Sequence, residues 1–71
     1  MWKMAHVEKY SWGVEVGTWD ADGRRLQRLE PKQKRDPKRE QEIWSLYNQA
    51  IIDLLKEGWE PFNTQYEYSA I

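Results

Sequence analysis

Hydrophobic and polar positions change their period three times along these 71 residues. Tyr10, Trp12, Val14, Val16 and Thr18 fall at every second position, the spacing of a half-buried strand. Trp19 falls on the opposite face, and Gly13 and Gly17 mark a bulge or a close backbone approach. Asp20-Ala21-Asp22-Gly23 reads as a turn, because Asp bonds its own backbone locally and Gly accepts a positive φ. A shorter strand over Arg24–Leu29 then completes a hairpin, its arginines on the solvent side of an edge strand. Glu30 to Asp36 is a charged loop containing Pro31. Asp36-Pro37 has the form of an N-cap followed by N1. Helical spacing begins at Ile43 and holds through Tyr47, Ala50, Ile51 and Leu54, with Trp44, Leu46 and Leu55 widening the stripe. Such a helix runs about twenty residues, roughly 30 Å. Gly58 is the expected left-handed residue after it, and Trp59 the apolar residue that packs back on the last turn. Pro61 ends the helical region. Phe62, Thr64, Tyr66, Tyr68 and Ala70 then alternate with polar neighbours as a final strand with one aromatic face.

The order is therefore β-β-α-β, and the expected fold class is α+β. A three-stranded, largely antiparallel sheet carries one long helix on one face. A single small domain spans 1–71, with 1–6 loose and 30–36 a basic loop.

The segment Ile51 to Glu60, with its Glu57-Gly58-Trp59-Glu60 ending, resembles a group of small bacterial and phage domains of unknown function. In that group a helix closing on this motif feeds a strand. The Trp12 to Trp19 stretch, followed by Asp20-Ala21-Asp22-Gly23-Arg24, resembles the group's Trp/Tyr-rich opening. Together the two segments cover about half the chain. The resemblance implies a fold and no activity. Two departures stand out: Pro61 follows the motif where an apolar residue is usual, and the remaining residues leave no room for the group's closing hairpin.

Composition adds one constraint. Five tryptophans, four tyrosines and one phenylalanine are more aromatic surface than one small sheet and one helix can hide, at about 150–250 Å² each. Part of it is expected to meet a partner. The chain has no cysteine, which excludes disulfides and thiolate metal sites. It has no apolar run long enough for a membrane span, and Met1 to His6 lacks a signal-peptide core. A cytoplasmic protein is the expectation.

The net charge of −1 hides a segregation. Between Arg24 and Arg39 eight cations face only Glu30 and Asp36, leaving +6, while the rest of the chain sums to −7. Such a run can line phosphates, with Trp12 or Trp19 stacking on bases. It can equally meet an acidic protein or the acidic body of a second copy. The bland account is a solvated loop that keeps an edge strand soluble.

Chemistry is sparse. His6 is the only histidine and has no cysteine to join it. Asp20 and Asp22 resemble the start of a calcium loop, but the later ligands are missing, and a hairpin turn explains them. Glu40, Glu42, Asp53, Glu57 and Glu60 fall mostly on an expected wet face, without the paired, split carboxylates of acid–base catalysis. The reading is a non-enzymatic binding module without a cofactor or metal, a self-associating protein-interaction or assembly domain. Its candidate contact residues are Trp12, Trp19, Tyr66 and Tyr68 for apolar area and Arg24, Arg25 and Arg28 for charge. Nucleic-acid binding through Arg24–Arg39 is the alternative, and a small-ligand pocket between subunits the third.

Overall fold

A computed structural model describes residues 3–62 and 64–70, with side chains described for 4–59. Its elements are β1 (Lys3–Tyr10), β2 (Gly13–Asp20), β3 (Gly23–Leu29), α1 (Lys38–Lys56), β4 (Glu60–Phe62) and β5 (Thr64–Ala70). The α+β class and the single long helix are as expected. The sheet is larger than three strands: among the described residues it has five, in the order β3-β2-β1-β5-β4, all antiparallel.

The additional strands have different origins. β1 takes in residues 3–6 of the segment expected to be loose and runs on to Tyr10, expected to open the next strand; Ala5 and Val7 are buried in it. It is hard to read because its inward positions are Ala5, Val7 and Lys9, only two of them apolar. Strand alternation is faithful there, but the pattern is too thin to stand out. β4 and β5 together make the closing hairpin for which the sequence left no room. A three-residue β4 suffices, with a register shift between Pro61 and Phe62.

The core lies between α1 and the middle of the sheet. Val7, Val14 and Ile43 are fully enclosed, with Ala5, Ala50 and Leu54 around them. Val16, Leu29, Leu46, Tyr47, Ile51 and Trp59 pack against this cluster half-buried. Each fully buried aliphatic side chain contributes about 1.5–3 kcal/mol. The helix packs chiefly on β1 and β2. One helix, about 10 Å across, cannot cover five strands spaced about 4.8 Å apart. Trp44 and Leu55, expected to widen the buried stripe, lie on flanks of α1 that neither the sheet nor a second helix among the described residues covers, and they stay about half exposed, at 49% and 48%.

Both ends of α1 test local signals. At the C-terminus the Gly58 N–H donates to the Leu55 carbonyl at 3.1 Å and the Trp59 N–H to the Leu54 carbonyl at 3.0 Å, with Gly58 at φ +95°. These are the two bonds of a Schellman cap, and Trp59 packs on the core as expected. At the N-terminus the cap residue is Pro37 rather than Asp36, and no side chain among the described residues caps the helix. A different carboxylate organises this end. Glu42, expected on the wet face, accepts the Lys32 N–H at 2.7 Å and the Gln33 N–H at 2.9 Å, tying the basic loop to the first turns of α1. These two bonds hold its carboxyl below the ordinary value of 4.5.

Candidate interaction surface

Strand register assigns side chains to the two faces of the sheet. Opposed residues share a face, and alternate residues along a strand share it too. Ala5, Val7, Val14 and Val16 face the helix. The other face is built from Met4, His6, Glu8 and Tyr10 of β1, Glu15, Gly17 and Trp19 of β2, and Arg24, Leu26 and Arg28 of β3. Among the described residues no helix covers this second face.

Its side chains form crossed rows. Trp19 lies against His6, ring centroids 4.8 Å apart, and the Arg24 guanidinium sits 5.7 Å from the Trp19 ring centre. At the far end Trp12 stacks on Tyr10 at 5.2 Å with rings nearly parallel, and Arg28 lies 5.6 Å from the Trp12 ring centre. Between them Glu15 receives His6 Nε2 at 3.4 Å and Arg28 Nε at 3.7 Å. The Tyr10 hydroxyl donates to the Glu8 carboxylate. That bond and the negative charge of Glu8 and Glu15 push the phenol above its ordinary 10.0. Leu26, 46% exposed, stands between Arg24 and Arg28.

Gly17 makes this packing feasible. A Cβ there would lie 2.6 Å from His6 Cε1, so the bare backbone lets the imidazole lie flat across the sheet toward Glu15 and Trp19. The sequence marks Gly17 as a close approach but not His6 as its neighbour, because the β1–β2 register is a property of the folded pair.

The expected contact residues divide. Trp12, Trp19, Arg24 and Arg28 come together on the open face. Trp12 does so against the expected alternation: it lies in the two-residue turn between β1 and β2, where the period-2 pattern breaks, and it stacks back on Tyr10. It therefore shares neither Val14's face nor its burial. Arg25 pairs with Thr18 on the other face of β3, away from Arg24 and Arg28. Tyr66 and Tyr68 lie in β5, and their side chains fall outside the described residues. The backbone register sets Tyr68 beside Ala5.

Trp12 also borders the basic loop. With Glu30, Pro31, Gln33, Lys34 and Arg39 it lines a shallow hollow of about 320 Å³. A second hollow, about 180 Å³, lies at the hairpin turn among Thr18, Asp20, Asp22, Gly23, Arg24 and Arg25. In that turn the Asp22 N–H donates to Asp20 Oδ1 at 2.8 Å, so the carboxylate serves the turn itself. Among the described residues no group of three or more His, Asp or Glu side chains is placed to hold a metal ion. No helix in the described residues is long and apolar enough to cross a membrane. Comparison of the chain with known protein families, characterised proteins and solved structures finds no match.

Proposed function

We propose that the chain is a non-enzymatic protein-interaction module that self-associates through the open face of its sheet. The observation carrying this reading is the composition of that face. Two tryptophans, a tyrosine and two arginines are presented together, with Glu8 and Glu15 among them. Aromatic and arginine side chains are the residues that dominate protein contact energies. Charges of both signs on one patch suit a two-fold contact, in which the arginines of one copy meet the carboxylates of the other. The four long strands, about 4.8 Å apart and about 25 Å long, present roughly 500 Å². Two copies would thus bury about 1,000 Å², the lower bound of a specific interface. The resemblance of the Gly58-Trp59-Glu60 helix ending to small bacterial and phage domains belongs to this proposal too, and it adds no chemistry.

The test is solution mass by light scattering across concentration. The expected result is a dimer or larger closed oligomer at about 100 μM, a dissociation constant worth about 5.5 kcal/mol. Leu26→Glu should return it to a monomer without unfolding it, because Leu26 is exposed on the open face. A wild-type monomer at that concentration would overturn the reading.

One observation favours nucleic acid as a second reading. Trp12, although outside the basic run, reaches its loop and lines a hollow with Lys34 and Arg39. Against it, Glu15 already engages Arg28 and stands with Glu8 on the face a phosphate backbone would cross. Binding to random oligonucleotides with a log–log salt slope near −3 to −4 would support this reading.

A further inference from the structure

The sheet has two edges of opposite character. β4 is three residues long, contains Pro61 and shifts register against β5. Proline has no N–H to donate, and a short, irregular edge does not template another strand. β3 is different. It is seven residues long and pairs with β2 in unbroken register from Asp20↔Gly23 to Val14↔Leu29. Gly23 through Arg28 are all exposed, and among the described residues no strand lies on its outer side. In an antiparallel pair alternate residues turn their N–H and C=O groups away from the partner strand. β3 therefore offers a row of unpaired backbone groups about 20 Å long.

We propose that the free edge of β3 is a strand-addition site for an extended acidic segment of a partner protein. This goes beyond the open-face contact: it uses the outer backbone edge of β3, whose Arg24, Leu26 and Arg28 side chains also belong to the open face, and it does not require the chain to self-associate.

Charge decides the occupant. Arg24 and Arg28 project on one face of β3 and Arg25 on the other, so the edge is basic on both sides. Among the described residues Arg25 has no carboxylate partner. Lys32, Lys34 and Arg35 continue the positive charge just beyond the strand. Two copies of β3 placed side by side would oppose like charges: an antiparallel pair centred on Leu26 sets Arg24 against Arg28 in both halves, which is destabilising. The arginines thus exclude a second copy from this edge while leaving it open to carboxylates. Backbone bonds supply affinity in such a complex and alternate side chains supply selectivity.

Register then specifies the ligand. Taken antiparallel to β3, like every pairing already in the sheet, the added strand places an acidic residue opposite Arg28, an apolar residue opposite Leu26, and acidic residues opposite Arg25 and Arg24. The position opposite Gln27 is polar. The hollow at Trp12 and the hollow at Asp20–Arg25 lie at the two ends of this edge and leave room for the flanking residues of the segment.

The probe is the peptide acetyl-Thr-Glu-Thr-Val-Glu-Glu-Thr-amide added to the full chain, read by fluorescence anisotropy and amide hydrogen exchange. Two further peptides carry backbone N-methyl groups on one or the other set of alternate residues, leaving the protein untouched. Expected are slowing of β3 amide exchange by at least tenfold at saturation and at least tenfold weaker binding for one methylated peptide only. A Lys-for-Glu peptide should not bind. Equal binding of the two methylated peptides would overturn the proposal by reducing the contact to charge. So would protection centred on α1 or β1, no binding of the parent peptide at millimolar concentration, or outward-facing β3 amides already protected in the free chain, meaning that a copy occupies the edge. Equal β3 protection by an oligonucleotide would overturn it as well. Solution mass measured on the same samples keeps this result apart from the self-association reading: a monomer that takes the peptide refutes only the latter.

Discussion

Gly13→Ala tests the junction on which the hairpin of β2 and β3 depends. Gly13 has φ +153°, and a Cβ built on it collides with the backbone carbonyl oxygen of Leu29, with Glu30 Cα close behind at 3.4 Å. Two costs follow. The backbone conformation is one that L side chains rarely adopt, costing about 1–2 kcal/mol. The collision is with main chain, which cannot swing aside as a side chain can. Relief requires β2 and β3 to part where Val14 opposes Leu29, losing one or two ladder hydrogen bonds at about 1 kcal/mol each. The sum is about 3 kcal/mol. A domain of this size holds roughly 4–10 kcal/mol in all, so the variant should fold but only marginally. Gly58→Ala is the matched control. Gly58 also has positive φ, +95°, yet among the described residues nothing lies within 4 Å of its Cβ position, so only the backbone term of about 1 kcal/mol applies. Urea unfolding followed by tryptophan fluorescence separates the two. With a slope near 1 kcal/mol/M, the Gly13→Ala midpoint should fall about 2 M below that of Gly58→Ala. Equal midpoints would refute the reasoning, since they would mean that the Leu29 carbonyl does not abut Gly13.

Other outcomes follow from the same geometry. Gly17→Ala should cost about 1 kcal/mol or less, because its Cβ meets the His6 imidazole, which can rotate away; its signature is a change in Trp19 emission with little change in the urea midpoint. The Glu42 carboxyl lies below 4.5 in the fold, so the loop tie is intact above that pH and is lost as pH falls through the lowered value; the Lys32 and Gln33 amide shifts should move together there, and Glu42→Gln should abolish the transition. Tyr10 titrates above 10.0 because its hydroxyl donates to Glu8, and in Glu8→Gln the phenol absorbance should titrate at lower pH. An unchanged curve would show that the Glu8 contact is not made.

A sheet with one blunted edge and one open edge also bears on solubility. The arginines that guard β3 against copies of itself would be lost together in an Arg24→Val, Arg25→Val, Arg28→Val chain, which should aggregate through β3 pairing. Sedimentation of that variant alongside the wild type would expose the difference.

Local sequence determined the parts of this protein whose partners are near in the chain. Helix α1 follows from apolar spacing between Ile43 and Leu54, and its end follows from Gly58 and Trp59, because the Schellman bonds span six residues. The turn at Asp20–Gly23 is equally local, closed by an aspartate two residues from the amide it accepts. Segregated charge, and with it a basic edge strand, is likewise written in the order of residues. Tertiary structure decided the rest. β1 carries too few apolar residues to announce itself and exists because β2 and β5 pair with it from both sides, the second from more than fifty residues away. Trp12 joined Trp19 on the open face because a two-residue turn broke the strand period between Tyr10 and Gly13. The strand period alone sets Arg25 on the face opposite Arg24 and Arg28; the pairing with β2 decided that Arg25 lies beside Thr18 while Arg24 lies beside Trp19 and Arg28 beside Glu15. Glu42 acquired its role from a loop ten residues upstream that folds back over the helix start. Trp44 and Leu55 have the spacing of buried residues and stayed exposed, since a sheet covers only the side of a helix turned toward it and no second helix among the described residues flanks α1, which no periodicity encodes.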